Sequence, residues 1–271
     1  MAEIRSPKRD PRSGRETRIE VTDGALIPGR GERSAFSAWR ISFFGALALL
    51  VALPLITPDP YLRILSFIPD GILKTFQVTI LSITCSLVVG LATGIGRISR
   101  VTIINRIATI YVEVIRGIPL LVQLFYIYYA LARIVKVPDI SSAVIAMTVC
   151  YGAYLGEIFR AGIQAVPKGQ MEAAIALGLT RGQALRRIIL PQTVRIVLPP
   201  LGNEFIALLK DSSLVSILAV SDLLRRGREF AAKTFYYFET FSVVALVYLV
   251  MTLFLSRLVA LMEDRMNRRG R

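Results

Sequence analysis

Six stretches of almost unbroken apolar residues dominate this chain, at about 41–58, 75–96, 107–132, 142–160, 192–222 and 239–261. A bilayer core about 30 Å thick takes roughly 20 helical residues at 1.5 Å each, and the stretches have about that length. Across 271 residues the chain is 54% hydrophobic with a mean hydropathy of +0.57, more apolar than a soluble domain. The expected fold is an all-α integral membrane protein with about six transmembrane helices. The first run is short and expected to be broken by Pro54, ahead of Pro58-Asp59-Pro60. The fifth carries polar residues and is expected to bend or break near Pro199-Pro200. Residues 1–40 are polar, mixed in charge and without an apolar h-region, so they read as a disordered tail and not a signal peptide. Residues 263–271 form a basic C-terminal tail.

The chain holds 33 Lys and Arg against 19 Asp and Glu, a net charge of +14. Nucleic acid is not the expected partner, because the basic residues cluster at the ends of the apolar runs, where anionic lipid and topology account for them. With both termini inside, the inside segments 1–40, 96–106, 160–190 and 257–271 carry 22 Lys/Arg and the outside segments carry 8. The positive-inside rule therefore sets both termini in the cytoplasm, with Arg225, Arg226, Arg228 and Lys233 as exceptions. The chain has no histidine, which excludes His-based zinc sites, Ser-His-Asp triads and His proton relays. Cys85 and Cys150 lie in apolar runs without paired spacing and read as small packing residues. No G-x-x-x-x-G-K-[ST] phosphate loop occurs, so ATP bound in the usual manner would need a separate polypeptide.

Between the fourth and fifth runs lies a polar, helix-forming insert, residues 165–191. Pro167 suits a first helical turn, Glu172, Ala173 and Ala174 favour propagation, and Gly178 stands where a left-handed residue ends a helix. Thr180 and Gln183 have capping-box spacing for a second short helix, which Pro191 would terminate or kink. Met171, Ala174, Ile175 and Gly178 fall near one face. The insert is either an amphipathic pair lying on lipid or a docking element. Small Ala and Gly side chains bury little apolar area yet permit close approach, which favours docking.

The spacing E-A-A-x3-G-x9-I-x-L-P, running from Glu172 through Gly178 to Leu190 and Pro191, resembles the signature loop of ABC-importer permeases, in the branch that carries polar amino acids. The likeness covers about residues 70–262 and includes Arg116-Gly-Ile-Pro-Leu-Leu-Val-Gln-Leu124, Tyr154-Leu-Gly-Glu-Ile-Phe-Arg160, Pro167-Lys-Gly-Gln170, and Leu201-Gly-Asn-Glu204 through Leu214. Small departures stand at Ile118 and Ser212, where Thr is common, and at Gly152 and Gly156, where Ala is frequent. The resemblance implies a type I importer fold with a five-helix core at 70–262 and an additional first helix at 41–58. It implies that Glu172 anchors the loop electrostatically, Ala173 and Ala174 pack closely, and Gly178 supplies the turn. It also implies a cytoplasmic ATPase dimer that binds ATP and Mg, a second permease copy or paralogue, and an extracytoplasmic amino acid-binding protein. No cofactor is expected in this chain, and the expected location is a bacterial inner membrane.

A charge at membrane depth costs roughly 2.5–3.5 kcal/mol on insertion scales, so each needs a reason. Glu113 and Arg116, three apart, have the spacing of an ion pair, as do Glu157 and Arg160 at the base of the insert. Gln123 lies deeper and is a candidate for facing a passage. Asn203, Glu204, Lys210 and Asp211 either face a water-filled route or partner, or form an internal network at a helix break. In the first case Glu204 and Lys210 supply the two charges that a zwitterion needs. Gly90, Gly94 and Gly96 allow close helix contact. A rival from another class is an ion-coupled secondary transporter or channel, which leaves the insert unexplained and shows no inverted repeat. A membrane-embedded enzyme lacks any nucleophile–base constellation.

Overall fold

The computed structural model describes residues 37–134, 138–218 and 220–268, so most of the 1–40 tail and residues 269–271 fall outside it. Nearly all of the described residues are helical and none of them forms a strand, as apolar segments must where lipid offers the backbone no hydrogen-bond partner. In order they form α1 (Ala38–Ile56), α2 (Pro58–Phe67), α3 (Pro69–Arg97), α4 (Thr102–Gly117), α5 (Leu120–Ile134), α6 (Asp139–Gln164), α7 (Lys168–Ala176), α8 (Arg181–Ala184), α9 (Leu190–Asp211), α10 (Leu223–Thr234) and α11 (Tyr237–Arg268). A π turn, Leu185–Ile189, joins α8 to α9, and a 3-10 segment, Ser212–Leu218, follows α9.

Four segments are long and apolar enough to span a membrane: α1, α2 with α3, α6, and α11. The run at 107–132 is not one straight helix. It is the bent pair α4 and α5, which meet at 110°, because Pro119 cannot continue the ladder and drives Ile118 into extended backbone (φ −110°, ψ 134°). α9, of 22 residues, covers most of the fifth apolar run, and its charges at Arg195, Glu204, Lys210 and Asp211 keep it from being a plain apolar span.

Two sequence expectations about proline are corrected. Pro54 leaves α1 intact to Ile56, since it sits in the last turn, where Thr57 N still donates to Leu53 O at 2.9 Å. α9 also runs unbroken through Pro199 and Pro200. The bonds forfeited there are tolerated because α9 packs along α11, as prolines in membrane helices are when neighbours hold the segment. The break comes later, at Ser212, whose Oγ donates to Leu209 O at 2.7 Å.

The centre of the molecule is the pair α3 and α6, which lie along one another with α4, α5, α9 and α10 packed around them. One apolar core gathers Val78, Leu124, Met147, Cys150 and Leu208. A second, toward the end with α10, gathers Ile64, Leu209, Phe230 and Val247. α1 touches the rest mainly along α11, where Trp39 Nε1 donates to Leu253 O at 3.0 Å and Arg257 lies over the Trp39 ring at 5.6 Å. Its remaining surface is apolar and exposed, as a lipid-facing helix requires.

Candidate functional site

The insert folds as a closed helical hairpin. At the end of α7, Gly178 N donates to Ile175 O at 2.9 Å and Leu179 N to Ala174 O at 3.1 Å, the paired bonds of a Schellman ending. Gly178 carries the positive φ of +83° that this ending requires. Thr180 then opens α8 with a full capping box: its Oγ1 accepts from Gln183 N, and Gln183 Oε1 accepts from Thr180 N at 3.0 Å. Pro191 does not terminate the second helix. It lacks the N–H that Arg187 O would take, and the turn before it widens to π spacing, with Leu190 N donating to Leu185 O. The hairpin therefore flows without interruption into α9.

Burial sorts the insert's residues. Ala174, 1% exposed, is inside the hairpin, facing α8 and the π turn together with Ala184 and Ile189, while Met171 is half-buried. Glu172, Ala173, Gly178, Leu190 and Pro191 are exposed. Leu177 is 82% exposed and Ile175 41%, so Ile175 does not share the buried side that the helical spacing suggested. Leu177 is thus an openly presented apolar side chain on the same short helix as the Glu172 carboxylate and the small Ala173.

Ion pairs fix the hairpin's base. Glu157 on α6 accepts from Arg160 Nε at 3.0 Å, as its spacing suggested, and also pairs with Arg97 at the end of α3. Asn105 at the start of α4 donates to Arg97 O. The 97–105 turn and the insert thus share one end of the molecule. The opposite end holds Asp70, which pairs with Arg226, and Arg226 and Arg225 both reach Glu229, at 3.1 and 3.0 Å. Burial pushes the Glu229 carboxyl up, but the two guanidiniums outweigh it and hold it below the usual carboxylate range.

The charges within the spans meet partners the spacing did not name. Among the described residues Glu113 and Arg116 form no ion pair; Arg116 stacks over the Tyr154 ring at 5.3 Å. On α9, Glu204 and Asp211, seven residues apart, share a helical face. Asp211 Oδ2 accepts from Tyr151 OH at 2.8 Å, and Glu204 lies within electrostatic reach of both Asp211 and Arg116. Asn203 and Lys210 are exposed. Gln123 is 5% exposed and spends its amide on the backbone of the α4–α5 bend. Tyr151, Tyr154 and Arg97 escaped the sequence reading because their partners lie tens of residues away.

Residues 86–268 match the family described as the binding-protein-dependent transport system inner membrane component. The chain belongs to this family. The permease is 38% identical over 201 residues to the glutamine transport system permease protein GlnP of Escherichia coli (strain K12), covering 73% of this chain and 92% of that protein. It is 40% identical over 204 residues to the L-cystine transport system permease protein TcyB of Bacillus subtilis (strain 168), covering 73% of this chain and 86% of that one. Among solved structures, the crystal structure of an amino acid ABC transporter with histidines matches at TM-score 0.71 and 39% identity, over 80% of this permease and 98% of that chain. An inward-facing MetNI methionine ABC transporter shares the fold at TM-score 0.63 and 21% identity, over 76% of this permease and 97% of that chain. The type I importer fold and the membrane location of the permease follow.

Proposed function

We propose that this permease is the translocation subunit of an ATP-driven importer of polar amino acids in a bacterial inner membrane, with both termini cytoplasmic. Relatives named for glutamine and cystine transport support the substrate class. Two copies, or this chain with a paralogue, line one pathway, and an extracytoplasmic binding protein delivers substrate at the α10 end. A separate ATP-binding cassette ATPase dimer, which holds ATP and Mg, docks at the hairpin end. Closure of that dimer pushes on the hairpins and opens the pathway outward; hydrolysis resets it.

The observation that carries this reading is the hairpin itself. It is closed internally by Gly178 and Thr180, yet it presents Glu172, Ala173 and Leu177 outward. Because it continues through Leu190 and Pro191 into α9 without a flexible joint, a displacement of the hairpin moves the helix that bears Asn203, Glu204, Lys210 and Asp211. Those residues, with Tyr151 and Arg116 beside them, offer both signs of charge to a zwitterion. Glu172→Lys reverses the exposed charge, and Gly178→Val places a β-branched residue at positive φ, a strain of about 1–2 kcal/mol. Both variants are expected to lose ATPase association and uptake in proteoliposomes while the permease still melts as a folded protein. Unchanged coupling in both would end the proposal.

A further inference from the structure

The α4–α5 bend poses a problem that one side chain solves. A helix that ends inside an apolar environment leaves carbonyls without partners, each a costly buried group. At the end of α4 the backbone supplies one long contact, Ile118 N to Ile115 O at 3.5 Å. Gln123, on the first turn of α5, supplies the rest: its Nε2 donates to Ile115 O at 2.5 Å and to Ile118 O at 2.6 Å. Its Oε1 accepts from the Cys150 thiol on α6 at 2.7 Å. An amide has two N–H donors and one acceptor oxygen, and here each is engaged while the residue is 5% exposed. The two carbonyls it holds bracket Arg116, whose guanidinium lies 5.3 Å from the centre of the Tyr154 ring. Arg116 has no carboxylate partner on its own helix, so the course of the bend decides where its charge stands.

We infer that Gln123 is a positioning residue: by tying the bend to α6 it holds Arg116 over Tyr154, opposite the α9 carboxylates. This rests on the reading that Glu204 and Asp211 face the substrate path. It turns Gln123 from a lining residue into one that acts through Arg116. Leucine or methionine at 123 would fill the same space and cap neither carbonyl.

The experiment uses the complete importer in proteoliposomes. Gln123→Met is expected to raise KM for uptake about tenfold, the scale set by losing a buried hydrogen bond, with Vmax and ATPase association within about twofold of the parent. In an Arg116→Ala background the same substitution should add nothing, because both changes remove one device. A KM that does not move, or effects that multiply, would reduce Gln123 to a structural cap and overturn the inference. A second readout is independent of transport. Spin labels at the exposed positions Ile107 and Tyr126, in a Cys85→Ala background, should report a wider and shifted α4–α5 distance in Gln123→Met, and in Gln123→Leu should the methionine variant fail to fold. An unchanged distance also sinks the proposal, whereas unchanged uptake in Glu204→Gln sinks the path reading alone.

Discussion

At Gly90 the chain has no room for a side chain. A Cβ there would stand 2.5 Å from Leu155 Cβ and 3.1 Å from Gly156 N, and one at Gly94 would meet Phe159 Cβ at 2.7 Å and Gly156 O at 2.9 Å. Backbone on the far side cannot yield, so the α3–α6 contact depends on these glycines. Gly90→Val should destabilise the permease by about 1–3 kcal/mol through overpacking, lowering its melting midpoint in detergent. Gly45→Val, with nothing within 4 Å of its Cβ, serves as the control and should not. Gly178 is a different case: space is open there, and only its φ of +83° requires glycine. The sequence distinguished the two roles in part. Gly178 was legible as a helix ending because the surrounding pattern is local, while the partner of Gly90 and Gly94 lies more than sixty residues away and left no trace in the spacing.

Among the elements, the hairpin was the most legible, because its helices are built from contacts three to five residues apart. The Schellman ending and the capping box both stand where the spacing predicts them. Thr180→Ala removes one half of the box and should cost about 1 kcal/mol of local helix stability. Hydrogen exchange of the α8 amides should quicken while those of α6 keep their rates. The continuation past Pro191 was not legible. A proline reads as a stop, yet here the preceding turn widens to π spacing and absorbs the missing donor. The same difficulty arose at Pro54, which sits in the last turn of its helix, and at Pro199-Pro200, where packing along α11 overrides the local break. Pro119 did break its helix: Ile118 turns extended ahead of it, and Gln123 from the next helix takes the carbonyls of Ile115 and Ile118.

For the whole molecule, the distribution of charge is the feature that spans both ends. Arg225, Arg226, Arg228 and Lys233 sit at the end opposite the hairpin, and three of these four cations meet a partner among the described residues. Arg225 and Arg226 pair with Glu229 and Asp70, and Lys233 lies over the Phe67 ring at 5.7 Å. Arg226→Gln frees α10 from the start of α3 and should cost about 1 kcal/mol, little because the pairs are partly solvated. It should also weaken a pH dependence, because Arg226 lowers both Asp70 and Glu229 while Arg225 stays paired with Glu229. The folded Glu229 carboxyl is held below its ordinary range, so its contribution is complete at neutral pH and is lost as pH falls through the folded value. Melting midpoints measured from pH 7 downward should therefore fall less steeply in the variant than in the parent. What the sequence determined unaided was everything governed by local pattern: the apolar runs, the helical class, the hairpin with its caps, and the family likeness its motifs carry. The tertiary structure alone decided which prolines bend the chain, what Gln123, Arg116 and Asp211 touch, and which partners Arg225, Arg226 and Lys233 meet. The deciding contacts, Cys150 with Gln123, Tyr151 with Asp211 and Arg226 with Asp70, join residues 27, 60 and 156 apart, and spacing along a chain records only neighbours within a few turns.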